Sequence, residues 1–304
     1  MFLAKHIMLL FLSDVKVDAK TGKVRETTYY NISARRMTGE ITLTTNESAV
    51  RYTLYNNGHG NIELSKIYIF ASERVRNEKV TGMEITHLQF FKERMSQFIP
   101  NIGDCINDGT IGNYKENNSP IENMLCVAEM AERIQKFAAE AQDEIILHVD
   151  FTGGLRNVNM IMLDVIRLLE YSGVKINRLL YSNYQTGFVE AINNVYYLFQ
   201  LISGVEEFIQ FGSVTVLEKY YATSKNIISA HLQNLIAAMK NFSEEIKLCH
   251  YGQFIKSVKN LHDTINDFEV EPNNLQDKLM ARLIGRIRAE YGTLIDTRGV
   301  VLSD

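Results

Sequence analysis

The sequence predicts an α/β fold: a mostly parallel sheet with helices on both faces, followed by an α-helical C-terminal region. Three observations carry this. Short apolar runs rich in β-branched residues stand at positions 6–12, 67–71, 145–149 and 176–181, with the length and content of buried parallel strands. Stretches with apolar residues at helical spacing lie between these runs, so strand and helix patterns alternate. From about residue 194 onward the helical periodicity continues alone. The predicted division is a sheet domain over residues 1–203 and a helical region over residues 204–304.

Taken in order, the run from His6 to Leu12 reads as a buried first strand with Ser13 and Asp14 at its carboxyl end. Residues 15–45 are polar, rich in Thr and Tyr and broken at Thr21-Gly22; they form either a β-hairpin excursion or a loop beside the site. Asn46 or Thr45 is placed to cap a helix that starts at Glu47 and ends before Asn57-Gly58. A second strand covers residues 67–71. Residues 86–99 follow as a helix with Leu88, Phe91, Met95 and Phe98 on one face, stopped by Pro100. Residues 101–120, rich in Asn, Gly and Asp, read as an exposed loop, and residues 121–141 as a helix.

The stretch 145–184 organises the rest. An apolar strand runs into the turn Asp150-Phe151-Thr152-Gly153-Gly154. A helix with Val158, Ile161, Met162, Val165, Leu168 and Leu169 on one face then ends near Ser172-Gly173, and a second strand follows. Such a turn is where open α/β sheets bind anions, because backbone N–H groups and the helix dipole point at it. An edge strand is predicted at residues 188–191. Helical periodicity then fills 205–209, 214–221, 227–242, 254–268 and 275–291, interrupted most clearly at Pro272-Asn273-Asn274.

Composition sets the bounds. With 304 residues, 46% hydrophobic, 22% charged and a net charge of −4, the chain reads as a soluble globular protein without a broad nucleic-acid surface. A small pocket with focused cations remains open to it. Cys105, Cys126 and Cys249 are far apart and near no metal-ligand spacing, which fits a reducing, cytoplasmic setting. The apolar run at residues 7–12 is too short for a leader, and no window reaches the ~18 apolar residues of a membrane span.

The stretch Asp150-Phe151-Thr152-Gly153-Gly154-Leu155-Arg156-Asn157 resembles the signature D-x-T-[GH]-G-x-R of CARF domains, the CRISPR-associated Rossmann-fold sensors. The strand ending in Tyr181-Ser182-Asn183-Tyr184 and the first strand ending at Ser13 fit the same family. Residues 235–249 and 286–294 are similar to the helical region that follows the sensor in its relatives. The resemblance implies a Rossmann-like homodimer that binds a cyclic oligoadenylate made by type III CRISPR complexes, the tetramer favoured and the hexamer next. The ring would lie in a cleft across the dimer axis, with no cofactor and no metal, and its binding would be passed to an effector.

By the same resemblance the ligand falls on Ser13, Asp14, Thr152, Gly153, Gly154, Leu155, Arg156, Asn157, Asn183 and Tyr184. The chemistry suits it: glycine N–H groups and the Arg156 fork for phosphates, the Thr152 and Ser13 hydroxyls as donors, Asn183 for an adenine edge, and Tyr184 for stacking. In ring-cleaving relatives the ribose 2′-hydroxyl attacks the adjacent phosphate, and Thr152 and Arg156 would then orient and stabilise it.

Plainer readings stand beside these. The glycine turn can be tight strand-to-helix chemistry with no ligand, and His148 a core histidine. The family's usual ribonuclease motif, Arg and His four to six residues apart, does not occur. Glu245-Ile246-Lys247 reads as a solvated helix face. The chain stops about where the relatives' effector begins, so the helical part is either a relay to an absent effector or itself a divergent one. Rival functions are a ring nuclease and a transcriptional or interaction adaptor; a dinucleotide enzyme would need the missing G-x-G-x-x-G.

Overall fold

The structure, a computed structural model, describes residues 4–33, 39–55, 61–154, 157–224 and 228–294. The chain divides into two compact units, Met1–Asn193 and Asn194–Asp304. The first holds, in order, β1 (Lys5–Leu12), β2 (Thr27–Tyr29), β3 (Glu40–Thr42), α1 (Glu47–Tyr55), β4 (Leu64–Ser72), α2 (Glu73–Asn77), α3 (His87–Met95) and α4 (Ile102–Cys105). It continues with β5 (Ile111–Tyr114), α5 (Pro120–Ala141), β6 (Ile145–Asp150), α6 (Val158–Tyr171), β7 (Lys175–Asn183) and β8 (Phe188–Ala191).

Six strands form one sheet in the order β5-β4-β1-β6-β7-β8, all parallel except the last. Because strand side chains alternate between faces, β1 feeds two cores. Met8, Leu10 and Leu12 join Val50 of α1 and Phe91 of α3 on one face. On the other, Gly112 of β5 lies between Phe70 and Met130 of α5; a Cβ there would come within 2.5 Å of the Met130 methyl. Every residue of β1 from Ile7 to Leu12 is at most 3% exposed, as a central strand covered on both sides must be.

Helix starts follow local chemistry. Thr86 and Ser119 each close a capping box with the residue three positions on, and Pro120 takes the first turn of α5, where its missing N–H costs nothing. Asn46 departs from its expected capping role: its side chain leaves the helix and ties strands together, as described below. The expectation of an exposed loop over residues 101–120 is also corrected. That segment folds into α4, a 3-10 turn at Asp108–Thr110 and the edge strand β5. Ile-Gly-Asn-Tyr has weak intrinsic strand preference, and pairing with β4 decides the outcome.

The second unit is all helix: α7 (Asn193–Phe211), α8 (Thr215–Ser224), α9 (Ala230–Leu248), α10 (Tyr251–Asn266) and α11 (Leu275–Tyr291). Phe208, Leu217, Leu232, Phe242, Met280 and Ile287 sit in its core. The 203/204 division read from the sequence falls inside α7, where Gly204 lets Leu217 approach; a Cβ would stand 2.8 Å from its side chain. Asn274 of the Pro-Asn-Asn interruption caps α11, accepting from the N–H groups of Gln276 and Asp277.

Candidate functional site: a cleft at the carboxyl edge of the sheet

From β1 the chain moves outward through β4 and β5, then returns to the other side of β1 for β6 and β7. The order reverses between β1 and β6, and the crevice beyond their carboxyl ends is the usual ligand position in an open α/β sheet. Ser13 follows β1 there, and Asp150 ends β6.

A fully buried carboxylate builds this edge. Asp150 accepts the Thr152 N–H on Oδ1 at 2.8 Å and the Asn46 amide on Oδ2 at 2.8 Å, and the Thr152 hydroxyl bonds to it as well. Asn46 Nδ2 also donates to Phe11 O at 3.0 Å, while its Oδ1 accepts the Ser13 N–H at 3.1 Å. One amide thus ties the ends of β1 and β6 to the start of α1. Ser13 Oγ in turn accepts the Gly154 N–H at 3.2 Å.

Both glycines answer to this closure. A Cβ on Gly153 would lie 2.1 Å from the Phe11 carbonyl oxygen, and Gly154, at φ +94°, would push one into the Phe11 ring at 2.7 Å. That ring meets Tyr114 edge-on at 5.2 Å, and the Tyr114 hydroxyl accepts from Asn157 Nδ2 at 2.8 Å. The strand missed in the sequence therefore braces the turn.

Burial pushes Asp150 up to about 6 against the pull of its Thr152 and Asn46 hydrogen bonds. A raised folded value means the native state holds the extra proton. The stability this gives is whole below the unfolded value near 3.8 and is lost as pH rises through about 6. Asp150→Asn is expected to remove that slope, so urea titrations at pH 4 and pH 7 should show the wild type losing on the order of 3 kcal/mol relative to the variant. A difference that does not change with pH would refute the assignment. At any pH the variant should start lower, because its amide would face the Asn46 NH2 donor to donor.

Beside this edge lies a cleft of about 560 Å³. One wall is the sheet end, with Thr152, Tyr181, Ser182 and Tyr184. The opposite wall is the excursion over residues 15–45, which the structure describes except at positions 34–38. It contains the β2–β3 ribbon and, before it, a hairpin held by a Val17–Val24 bridge and closed at Asp18, whose Oδ1 accepts from the N–H groups of Lys20 and Thr21. Three ties fix the excursion. Tyr29 bonds to Ser48, whose Oγ donates to Ser182 Oγ at 2.7 Å. Asn31 exchanges two hydrogen bonds with the Val189 backbone, at 2.7 and 2.8 Å. Glu40 of β3 pairs with Arg51 of α1.

Of the residues the sequence offered, Thr152 and Tyr184 line the cleft, Tyr184 with 70% of its surface exposed. The Thr152 hydroxyl also accepts the Ser182 N–H at 2.8 Å, so it is committed on both sides. Ser13, Gly153 and Gly154 form the closure above. Asp14 pairs with Lys16 at 2.8 Å and Arg74 at 3.4 Å. Asn157 is turned to Tyr114. Asn183 shapes the β7–β8 hairpin, its Oδ1 accepting the Gln185 N–H and its Nδ2 donating to Glu190 at 3.1 Å. Leu155 and Arg156 lie outside the described residues. Sequence reasoning missed Lys16, Arg25, Tyr181 and Ser182 as cleft residues. The signal available was the basic and hydroxyl-rich character of residues 16–28.

His148 is buried, its Nε2 3.0 Å from His6 Nδ1, and burial followed by the Arg178 charge drives it down to about 3, so it is neutral. Among the described residues no three His, Cys, Asp or Glu side chains gather to hold a metal ion, and no helix is long and apolar enough to cross a membrane.

Fold and cleft define a Rossmann-like α/β protein with a switch-point pocket and an all-helical second unit. No protein-family model matches the chain, and a search of curated proteins finds no match either.

Proposed function

We propose that this protein is a homodimeric, cytoplasmic sensor of a cyclic oligoadenylate in type III CRISPR signalling, with the tetramer as its preferred ring. The observation that carries the reading is the cleft at the β1/β6 switch point, walled by tyrosine rings and hydroxyls on one side and cations on the other. Tyr181 and Tyr184 are exposed in it, and aromatic faces of this kind stack on bases whatever their sequence. The D-x-T-G-G resemblance supplies the ligand class. The helical unit then passes occupancy of the cleft to an effector.

Dimerisation has a surface to use. Ile121, Met124 and Leu125 on α5 and Met160 on α6 are each more than half exposed, on two helices that pack together and both begin at the carboxyl edge of the sheet. An apolar face of this kind suits a second copy, and a cleft of this size takes only part of a four-nucleotide ring.

Calorimetric titration of the full chain with cyclic tri-, tetra- and hexa-adenylate is the test. The expected result is one tetramer ring per two chains. Met124→Glu should sediment as a monomer with unchanged melting and bind the ring far more weakly. A well-folded wild type that binds none of the three rings would sink the reading. Chromatography of the same mixtures reports whether linear products form, which separates a sensor from a ring nuclease.

A further inference from the structure

We propose that the phosphates of the bound ring are held by Lys16 and Arg25, on the excursion between β1 and α1, rather than by the backbone of Gly153 and Gly154 after β6. The inference rests on the cyclic-oligoadenylate reading and assigns the anion-binding part of that site to a different wall.

The turn has little left to offer. Three of its backbone N–H groups already donate: Phe151 to Leu180 O at 2.8 Å, Thr152 to Asp150 at 2.8 Å and Gly154 to Ser13 Oγ at 3.2 Å. Gly153 is buried, and the space a side chain would fill is occupied by the Phe11 carbonyl. Its glycines serve close packing against β1, and neither of them lines the cleft.

The facing wall has what the turn lacks. The Arg25 N–H donates to Lys16 O at 2.8 Å, so hairpin pairing sets these two cations side by side, and both line the cleft. Lys16 is 62% exposed and held only by Asp14, an exposed ion pair that contributes little and gives way to a better anion. The Arg25 guanidinium has no hydrogen-bond or ion-pair partner among the described residues, and its fork matches two phosphate oxygens. Glu26 also lines the cleft, Asp14 pairs with Lys16 and the Asp18 carboxylate acts on Arg25, so the two cations are partly offset and a phosphate would take the place of Asp14 on Lys16. The hydroxyls of Thr27, Thr28, Thr44 and Thr45 surround them as further donors. Tyr181 and Tyr184 line the same cleft, so the ring would lie with its bases on the tyrosines and its phosphates on the excursion.

The test is the titration of wild type, Lys16→Gln, Arg25→Gln and the charge-keeping Lys16→Arg and Arg25→Lys with cyclic tetra-adenylate at several salt concentrations, melting curves confirming that each is folded. Each glutamine variant should bind roughly ten-fold more weakly or worse, and the charge-keeping variants should recover most of the loss. The slope of log affinity against log salt should fall by about 0.7 for each phosphate contact removed, which a merely structural role would not produce. Wild-type binding with unchanged affinity and salt slope in both glutamine variants would overturn this assignment and leave the sensor reading intact. No binding by the wild type would remove both.

Discussion

Gly153→Ala is expected to destabilise the first unit by about 3 kcal/mol or more, at the upper end of what overpacking costs. The reason is that the obstacle is backbone. An added Cβ would stand 2.1 Å from the carbonyl oxygen of Phe11, in a central strand that is at most 3% exposed from Ile7 to Leu12 and cannot move without opening both cores. Relief would pull β6 away from β1 and break the Asn46 bridge, whose amide nitrogen lies 2.9 Å from the same position. Urea denaturation followed by circular dichroism would show the loss as a lower midpoint. A midpoint within experimental error of the wild type would mean that the turn is not wedged against β1.

A loss of about 3–5 kcal/mol is expected from Glu47→Gln, because it removes the shared carboxylate of a buried ion network. Glu47 is fully buried at the start of α1 and meets Arg51 at 3.0 Å and Arg94 at 2.9 Å, with both guanidinium groups also lying over the Phe98 ring. Its other oxygen accepts the Leu43 N–H at 2.8 Å, which anchors the end of the ribbon. Removing the charge leaves Arg94, 19% exposed, without its carboxylate and Arg51, 8% exposed, with Glu40 alone. In thermal melts the transition should drop by roughly 10 °C for a unit of this size. Adding Arg94→Met to the variant should cost less than it costs the wild type, since the two share a partner. Strict additivity would refute the network.

How far the sequence carried depends on where the determining contacts lie. β1, β4, β6 and β7 announce themselves because a strand buried on both faces must be continuously apolar, and α6 because its stripe repeats at helical spacing. β5 does not, since Gly112 and Asn113 are poor strand formers and its existence is settled by β4 alongside and Met130 above. In the site, the glycines were visible but their partner was not. Asp150-to-Gly154 reads as a phosphate cradle, and nothing in the sequence shows that Phe11, some 140 positions away, packs against its glycines. Asn46 looked like a helix cap for the same reason: its three bonds go to β1 and β6 rather than to its own helix. Lys16 and Arg25 carry no periodic signal at all, and only hairpin pairing brings them together.

The central place of β1 has a consequence for the protein's birth on the ribosome. Its partner β4 follows within about 60 residues, but its other partner, β6, pairs Lys5 with Ile145 and is made much later. At ordinary elongation rates the growing chain carries that open edge for on the order of ten seconds after β4 has been synthesised. Through that interval a nearly uninterrupted apolar strand, Ile7 to Leu12, has one row of N–H and C=O groups unpaired, the condition under which nascent chains pair with one another. Slower synthesis between Ser72 and Asp150 would lengthen the time for which that edge stands open.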